Sequence, residues 1–424
     1  LLVRPGATEL TMSPIGVEDF GELAGDAGVV LSEDRRTSLH SLTAGSPFFA
    51  LQLLEHLRHA PDVDLDREVP TGVRDWLRQR VERTGTEVAE TVTTASVVGR
   101  SFDVIVLGDV LGASPLELAG HLEQAVGAGL LVEGERPGEY RFVHAIAQTA
   151  MSETLSTTRR GLLHAAIARR LEEHGDELED LEAALHHWLA ADRLGDPLHT
   201  GELAARVGTI TTERLAHELA VGVLERALTV VTSAASSRAR DRVEAQVRVA
   251  LGRALFVATR NDEAMAQLFR AAELAESGDD PETLAQAALV ASLNRRHGRD
   301  DPVLLGLLER ASERCPDEPA VLPAMLHIRR SRLLPLTMPH ERRAELARRG
   351  LEHVDRMEPV DRALVETEVA RSCWNPGDAH ERIAITTRLI DEATEETSLG
   401  GPSRWTGVLI EALNLRWAAR VQLG

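Results

Sequence analysis

Lysine is missing altogether: every one of the 47 basic side chains among the 424 residues is arginine. This excludes a P-loop lysine, a Schiff-base lysine and a kinase-type lysine from the segment. Positive charge is also in deficit, 47 basic against 67 acidic residues with a net charge of −20, a balance that repels nucleic-acid backbones and anionic lipid. Cysteine is scarce. Cys315 and Cys373 show no Cys-x-x-Cys spacing, which suggests neither a disulfide framework nor a zinc site and points to reducing cytosol. Aromatic residues make up 3% of the chain, while Ala, Leu, Val, Arg and Glu dominate, a mix suited to helix packing and not to sandwiches. No apolar run reaches the roughly 18 residues of a membrane span, and Leu1-Leu2-Val3-Arg4 lacks the order of a signal peptide. The 424 residues amount to two or three domains at about 150 residues each; the chain opens without Met and stops at Gly424 inside a helical pattern, so the expectation is a piece of a longer protein.

What is present is helical pattern with one exception. Leu1 to Met12 alternates as strand and turn. Val17 to Leu23 then reads as a helix, and another follows Gly45-Ser46-Pro47, carrying Phe48, Phe49, Leu51, Leu53, Leu54 and Leu57 on too much of its circumference for a surface helix. Pro61 to Glu68 is an acidic linker. Helices are predicted over Val69–Thr84, Glu87–Val98 and Asp103–Leu111. Ser114-Pro115-Leu116-Glu117 is a capping box that starts a helix running to Gly127. Leu130–Glu133 and Glu139–Val143, flanking Gly134-Glu135-Arg136-Pro137-Gly138, form a β-hairpin. Three helices followed by a hairpin is winged-helix order. Helices over His144–Leu155 and Ser156–His174 follow, and then pairs whose first members start near Asp241, Glu282, Pro319, Asp361 and Ser403, a period near 40 that marks an α-solenoid.

At this point one family comes into view. Gly45-Ser46-Pro47-Phe48-Phe49, Val69-Pro70-x-Gly72-Val73-Arg74, Val98-Gly99-Arg100-x-Phe102, Ala128-Gly129-Leu130-Leu131 and Arg141-Phe142-Val143-His144-Ala145 occur in order. Together they resemble the large ATP-binding LuxR-type transcriptional regulators of the signal-transduction ATPases with numerous domains. The resemblance implies a mostly α fold: residues 1–60 as the end of an AAA-like ATPase module, 69–155 as a winged helix and 156–424 as a tetratricopeptide-like repeat array. It also implies ATP or ADP with magnesium in the parent chain, whose P-loop would lie upstream. An effector ligand or protein would sit on the repeats, DNA would be reached only through a domain outside the segment, and the parent would be cytoplasmic, self-assembling and at most a slow ATPase. No catalytic centre is expected here. Related chains carry the same middle on a nucleotide cyclase, the alternative reading; a repeat adaptor without nucleotide binding is a third.

The resemblance singles out Gly45 and Pro47, which resemble an element packing near adenine, and His144, which resembles a histidine approaching the β-phosphate of ADP. The family run after that histidine is usually Leu-Val-Arg-Glu; here it is Ala145-Ile146-Ala147-Gln148, so an added arginine contact is lost. Plainer readings stand beside these: a loop before a helix for Gly45-Ser46-Pro47, and a satisfied junction histidine for His144. His56/His59 share a helix face at i, i+3 but lack an evident third metal ligand, and His186/His187 are adjacent and point two ways. The five tryptophans read as packing residues, the acidic runs as solvated faces. Glu133, Glu135 and Glu139 make the wing acidic, which argues for an internal regulatory role over DNA contact.

Overall fold

The computed structural model describes residues 14–43, 45–59, 77, 80–81, 83–175, 177–294, 301–335, 337–372, 378–398 and 403–423. The expected opening strands, the linker at 61–68, most of the Val69–Thr84 helix, Cys373, Trp76 and Trp374 lie outside them. The chain divides into two compact units, Leu1–Asp196 and Pro197–Gly424. The architecture is mostly α, with a small three-stranded sheet in the first unit.

The first unit begins with α1 (Val17–Asp26), α2 (Glu33–Thr43) and α3 (Pro47–His59). Helix α2 is absent from the sequence expectation because only Leu39 and Thr43 are buried on it; its start is marked instead by Ser32, whose hydroxyl accepts from the Arg35 amide at 3.3 Å, and by Glu33 and Asp34 in the first turn. Helix α3 buries Phe49, Ala50, Leu53, Leu54 and Leu57 and leaves Phe48 and Leu51 outside, so its crowded apolar circumference is only partly used.

Next come α4 (Thr86–Val98), β1 (Ser101–Asp103), α5 (Val104–Leu111), α6 (Pro115–Gly127), β2 (Leu131–Glu133), β3 (Glu139–Phe142) and α7 (Ala145–Glu153). The strands pair antiparallel in the order β1-β3-β2, with Phe102 opposite Tyr140 and Leu131 opposite Phe142. Alternation along β3 turns Tyr140 and Phe142 inward and Arg141 outward, the period of two that a half-buried strand requires. Strand β1 escapes the sequence pattern because three residues are too few to show alternation. Asp103 and Ser114 cap α5 and α6 through the amides of Ile105 at 2.6 Å and Glu117 at 3.3 Å, and Gly112 closes α5 in the left-handed region, as its position after the last apolar residue predicts. Phe20, Phe49, Leu53, Leu107, Leu122 and Phe142 meet in one core. Helices α8 (Thr157–His174) and α9 (Leu178–Ala191) complete the unit, the first capped by Ser156.

The second unit is a two-layer helical solenoid of the tetratricopeptide-like kind. Its first-helix layer is α10 (Pro197–Glu213), α12 (Arg238–Val257), α14 (Pro281–Ala291), α16 (Val321–Leu333), α18 (Pro359–Ser372) and α20 (Ser403–Leu423). Each packs on the next, and α11 (His217–Ser233), α13 (Asn261–Gly278), α15 (Pro302–Arg314), α17 (His340–Arg348) and α19 (Ala379–Ser398) pack between them. Asp280 and Asp301 accept from the amides of Thr283 and Leu304 at 3.1 and 3.0 Å, with proline at the first helical position. The core is built from small side chains: Ala271, Ala272, Ala275, Ala287 and Ala288 pack with Leu268, Leu284, Leu304 and Leu307. Among the described tryptophans, Trp188 and Trp405 are packed but Trp417 is 70% exposed, which overturns the packing expectation for that residue. No single helix among the described residues is long and apolar enough to cross a membrane; Val104–Leu111 and Pro115–Gly127 reach that measure only as a pair bent by 112°.

Candidate functional site

Helix α2 ends at buried Thr43, whose hydroxyl donates to the Leu39 and His40 carbonyls at 3.1 and 3.0 Å. The chain then turns sharply. The Gly45 amide donates to the His40 carbonyl at 3.3 Å, the Ser46 amide to the Thr43 carbonyl at 3.0 Å, and the Gly45 carbonyl accepts from the Ile15 amide at 2.9 Å. His40 Nε2 lies 2.8 Å from the Ile15 carbonyl and closes the turn from the other side. Gly45 has φ +68°, and a Cβ there would stand 2.6 Å from the Ile15 oxygen and 2.9 Å from Pro14 Cβ; no side chain fits this corner. Pro47 opens α3 and is exposed.

His144 stands two residues beyond β3 and is the N-cap of α7, where its side chain makes no capping bond. The ring is directed elsewhere: it meets Phe49 edge-on, centroids 4.6 Å apart at 67°, and hydrogen-bonds the Thr43 backbone. That bond favours the charged ring, so the Thr43 carbonyl is the acceptor. Nδ1 is buried with no partner in the structure, which leaves Nε2 as the donor. Burial holds the ring below the ordinary histidine range; the Thr43 bond pulls it back up, and the Arg80 and Arg100 guanidiniums push it further down.

Arg80 is held through its side chain, Arg100 through its own main chain. Arg80 Nε donates to the Ala128 carbonyl, with its guanidinium over Gly129. The Arg100 carbonyl accepts from the Phe142 amide at 2.9 Å, which ties Arg100 to the strand leading into His144. The fold therefore brings His144 to the Thr43–Phe49 turn that contains Gly45 and Pro47, and puts the ring within electrostatic reach of two cations, Arg80 and Arg100, that the sequence alone does not single out. Arg100 stands within a family-like motif that gives it no role; Arg80 carries no local signal, because its tether lies 48 residues away. Ala147 is buried in the core and Gln148 Nε2 donates to the Ser96 carbonyl, so the run after His144 is committed to packing α7 on α4. His187 is buried and paired with His164, Nδ1 to Nδ1 at 2.8 Å. No group of three or more His, Cys, Asp or Glu side chains arranged for a metal occurs among the described residues.

No family model matches the chain, and no curated protein matches it at a significant level. Among solved structures it is similar to a Signal Transduction ATPase with Numerous Domains (STAND) protein with a tetratricopeptide repeat sensor from Pyrococcus horikoshii. The identity is 12% and the TM-score 0.40, over 98% of this chain and 63% of that chain; the chain spans less than two thirds of that protein's length.

Proposed function

We propose that this chain is the regulatory and sensing part of an ATP-dependent bacterial signalling switch, in which His144 reads the phosphate of a bound nucleotide, the Gly45–Pro47 turn lies near its adenine, and the helical pairs of the second unit bind an effector. The finer form of this reading is a cytoplasmic LuxR-type transcriptional regulator, with DNA contacted by a domain outside the segment. One observation carries it: a buried, unpartnered Nδ1 on His144, on a ring that the charges of Arg80 and Arg100 act upon.

Those residues fit an anionic oxygen. A buried polar atom without a partner is costly and rare, and two nearby guanidiniums supply the field that favours an anion. ADP or ATP with magnesium, when bound, supplies that anionic oxygen. With Nε2 donating to Thr43, the neutral ring offers only a lone pair at Nδ1; to donate to phosphate it must take up a proton. Binding of the diphosphate is therefore coupled to proton uptake at His144, and the bond formed is charge-assisted, worth about 1.5–3 kcal/mol. Gly45 and Pro47 set the backbone corner that holds Thr43 and Phe49 against the ring.

The test is ADP retention by the intact protein. His144→Ala is expected to speed release of a fluorescent ADP analogue by about tenfold or more, since about 1.4 kcal/mol is a factor of ten, and to raise basal activity. An unchanged release rate overturns the assignment.

A further inference from the structure

The first-helix layer of the second unit carries a concentration of positive charge at odds with the chain as a whole. Arg329 and Arg332 on α16 and Arg371 on α18 converge on one carboxylate, Glu368, at 3.3, 2.7 and 3.6 Å. Only the Arg332 contact is a good charge-assisted hydrogen bond by distance. Arg371 reaches a second carboxylate, Glu411 on α20, through Nη2 at 2.8 Å, while its Nε is shielded from solvent and has no partner. Three guanidiniums thus share two carboxylates, leaving a net charge of +1 in a protein of net charge −20. The cluster is recessed: the Arg329, Arg332 and Glu368 side chains are largely buried. Burial and the charges of Arg332 and Arg371 push Arg329 below its ordinary range, against the pull of Glu368.

We propose that this cluster is a binding site for a doubly charged oxyanion group, a phosphate or a dicarboxylate, on the effector that the helical array receives. The proposal rests on the reading of the second unit as a sensor array. Glu411 is the exchangeable member, its side chain 42% exposed; a single exposed ion pair is weakly held. An incoming oxyanion displaces Glu411 and meets Arg371 edge-on through Nη2 and the unused Nε, the two-point geometry that a guanidinium offers and an ammonium does not. Its second charge faces Arg329, whose claim on Glu368 is looser than that of Arg332. Because Glu411 comes from α20 while Arg329 and Arg371 come from α16 and α18, the oxyanion links α16 to α18 and releases the α18–α20 ion pair, which is a route from ligand to array geometry.

The experiment is titration of the intact protein with inorganic phosphate and, separately, with succinate, at ionic strength held constant with chloride, read by calorimetry and by thermal shift. Saturable binding of either supports the site, and the tighter of the two identifies the source of the oxyanion. Arg371→Gln and Arg329→Gln are expected to weaken binding at least tenfold, whereas Arg404→Gln, a pair with Asp361 outside the cluster, leaves it unchanged. Glu411→Gln removes the competing carboxylate and is expected to tighten binding several-fold, a gain that misfolding cannot mimic. Binding no stronger than that of chloride, or binding indifferent to all three cluster variants, overturns the proposal. If the oxyanion binds as expected but leaves ADP retention unchanged, the site stands and the sensor reading of the array fails.

Discussion

His164 on α8 and His187 on α9 meet nitrogen to nitrogen, Nδ1 to Nδ1 at 2.8 Å. His187 also hydrogen-bonds the Val98 backbone; with Nδ1 engaged by His164, that bond uses Nε2–H. His187 Nδ1 is then the acceptor and His164 Nδ1 carries the proton, one neutral tautomer each. The pair joins α8 to α9 and α9 to the end of α4.

This arrangement sets an acid dependence of stability. Burial, together with neighbouring His186 and Arg160, pushes His164 down to about 4; burial with His164 and His186 pushes His187 down to about 3. Both values lie below the unfolded value near 6.5, so between those limits the unfolded chain binds protons that the folded chain refuses. The stabilisation is complete above about pH 6.5 and is lost as pH falls towards 4 and 3, at up to about 1.4 kcal/mol per pH unit for each histidine. Urea unfolding of the wild type and of the double variant His164→Phe, His187→Leu across pH 7.5 to 4.5 checks this. The variant is expected to show a flatter profile, and parallel profiles would refute the pairing.

Gly45 makes a second prediction. Its φ of +68°, and the 2.6 Å that would separate an added Cβ from the Ile15 oxygen, leave alanine both strained and in collision. Gly45→Ala is expected to cost about 2 kcal/mol or more, and to loosen the ring contact between Phe49 and His144. The readouts are the unfolding midpoint and the chemical shift of the His144 ring protons. A neutral substitution would mean that the turn is not held in this form.

The repeat array is legible in outline for a physical reason: its helix starts are written locally, in Asp-Pro caps and in apolar spacing, and local signals survive without knowledge of the fold. Pair α10–α11 is less visible because its apolar positions are interspersed with threonines and glycines, of which Thr200, Gly201 and Gly208 are nevertheless buried. The candidate site is half legible. Gly45, Pro47 and His144 carry sequence motifs, but Arg80 and Arg100 act on His144 through tertiary placement, and the Arg371 cluster joins three helices that only the stacked array brings together. The exposure of Trp417 is illegible as well, since helical spacing reports which face a residue occupies and not whether that face is covered.

Two helical glycines should respond to alanine with opposite sign. Gly222 on α11 is exposed and a Cβ there meets nothing within 4 Å, whereas on Gly252 of α12 it would come within 2.6 Å of Leu268 Cγ. Leu268 is fully buried and has little room to move. Gly222→Ala is expected to stabilise by about 0.5–1 kcal/mol through reduced backbone freedom, and Gly252→Ala to destabilise by about 1–3 kcal/mol through overpacking. Thermal midpoints of the two variants test the close approach of α12 and α13 directly; a gain for both would show that the helices stand further apart.

The tryptophans of α20 supply the last contrast. Trp405 is 3% exposed and packs with Leu389, Ala393 and Val408, while Trp417, twelve residues on, is 70% exposed on a face it shares with Ile410, Leu413 and Val421. Trp405→Ala removes a filled core position and is expected to cost about 3–5 kcal/mol. Trp417→Ala removes a mostly exposed side chain and is expected to change stability by less than about 0.5 kcal/mol. Solvent contact gives an independent reading: Trp417→Phe should remove a component of the emission that acrylamide quenches readily, and Trp405→Phe should leave that component in place. If Trp417→Phe leaves the quenching curve unaltered, or Trp417→Ala costs as much as Trp405→Ala, then the outer face of α20 is covered in solution, and the apolar line through Ile410, Leu413 and Trp417 is an interface and not a solvated surface.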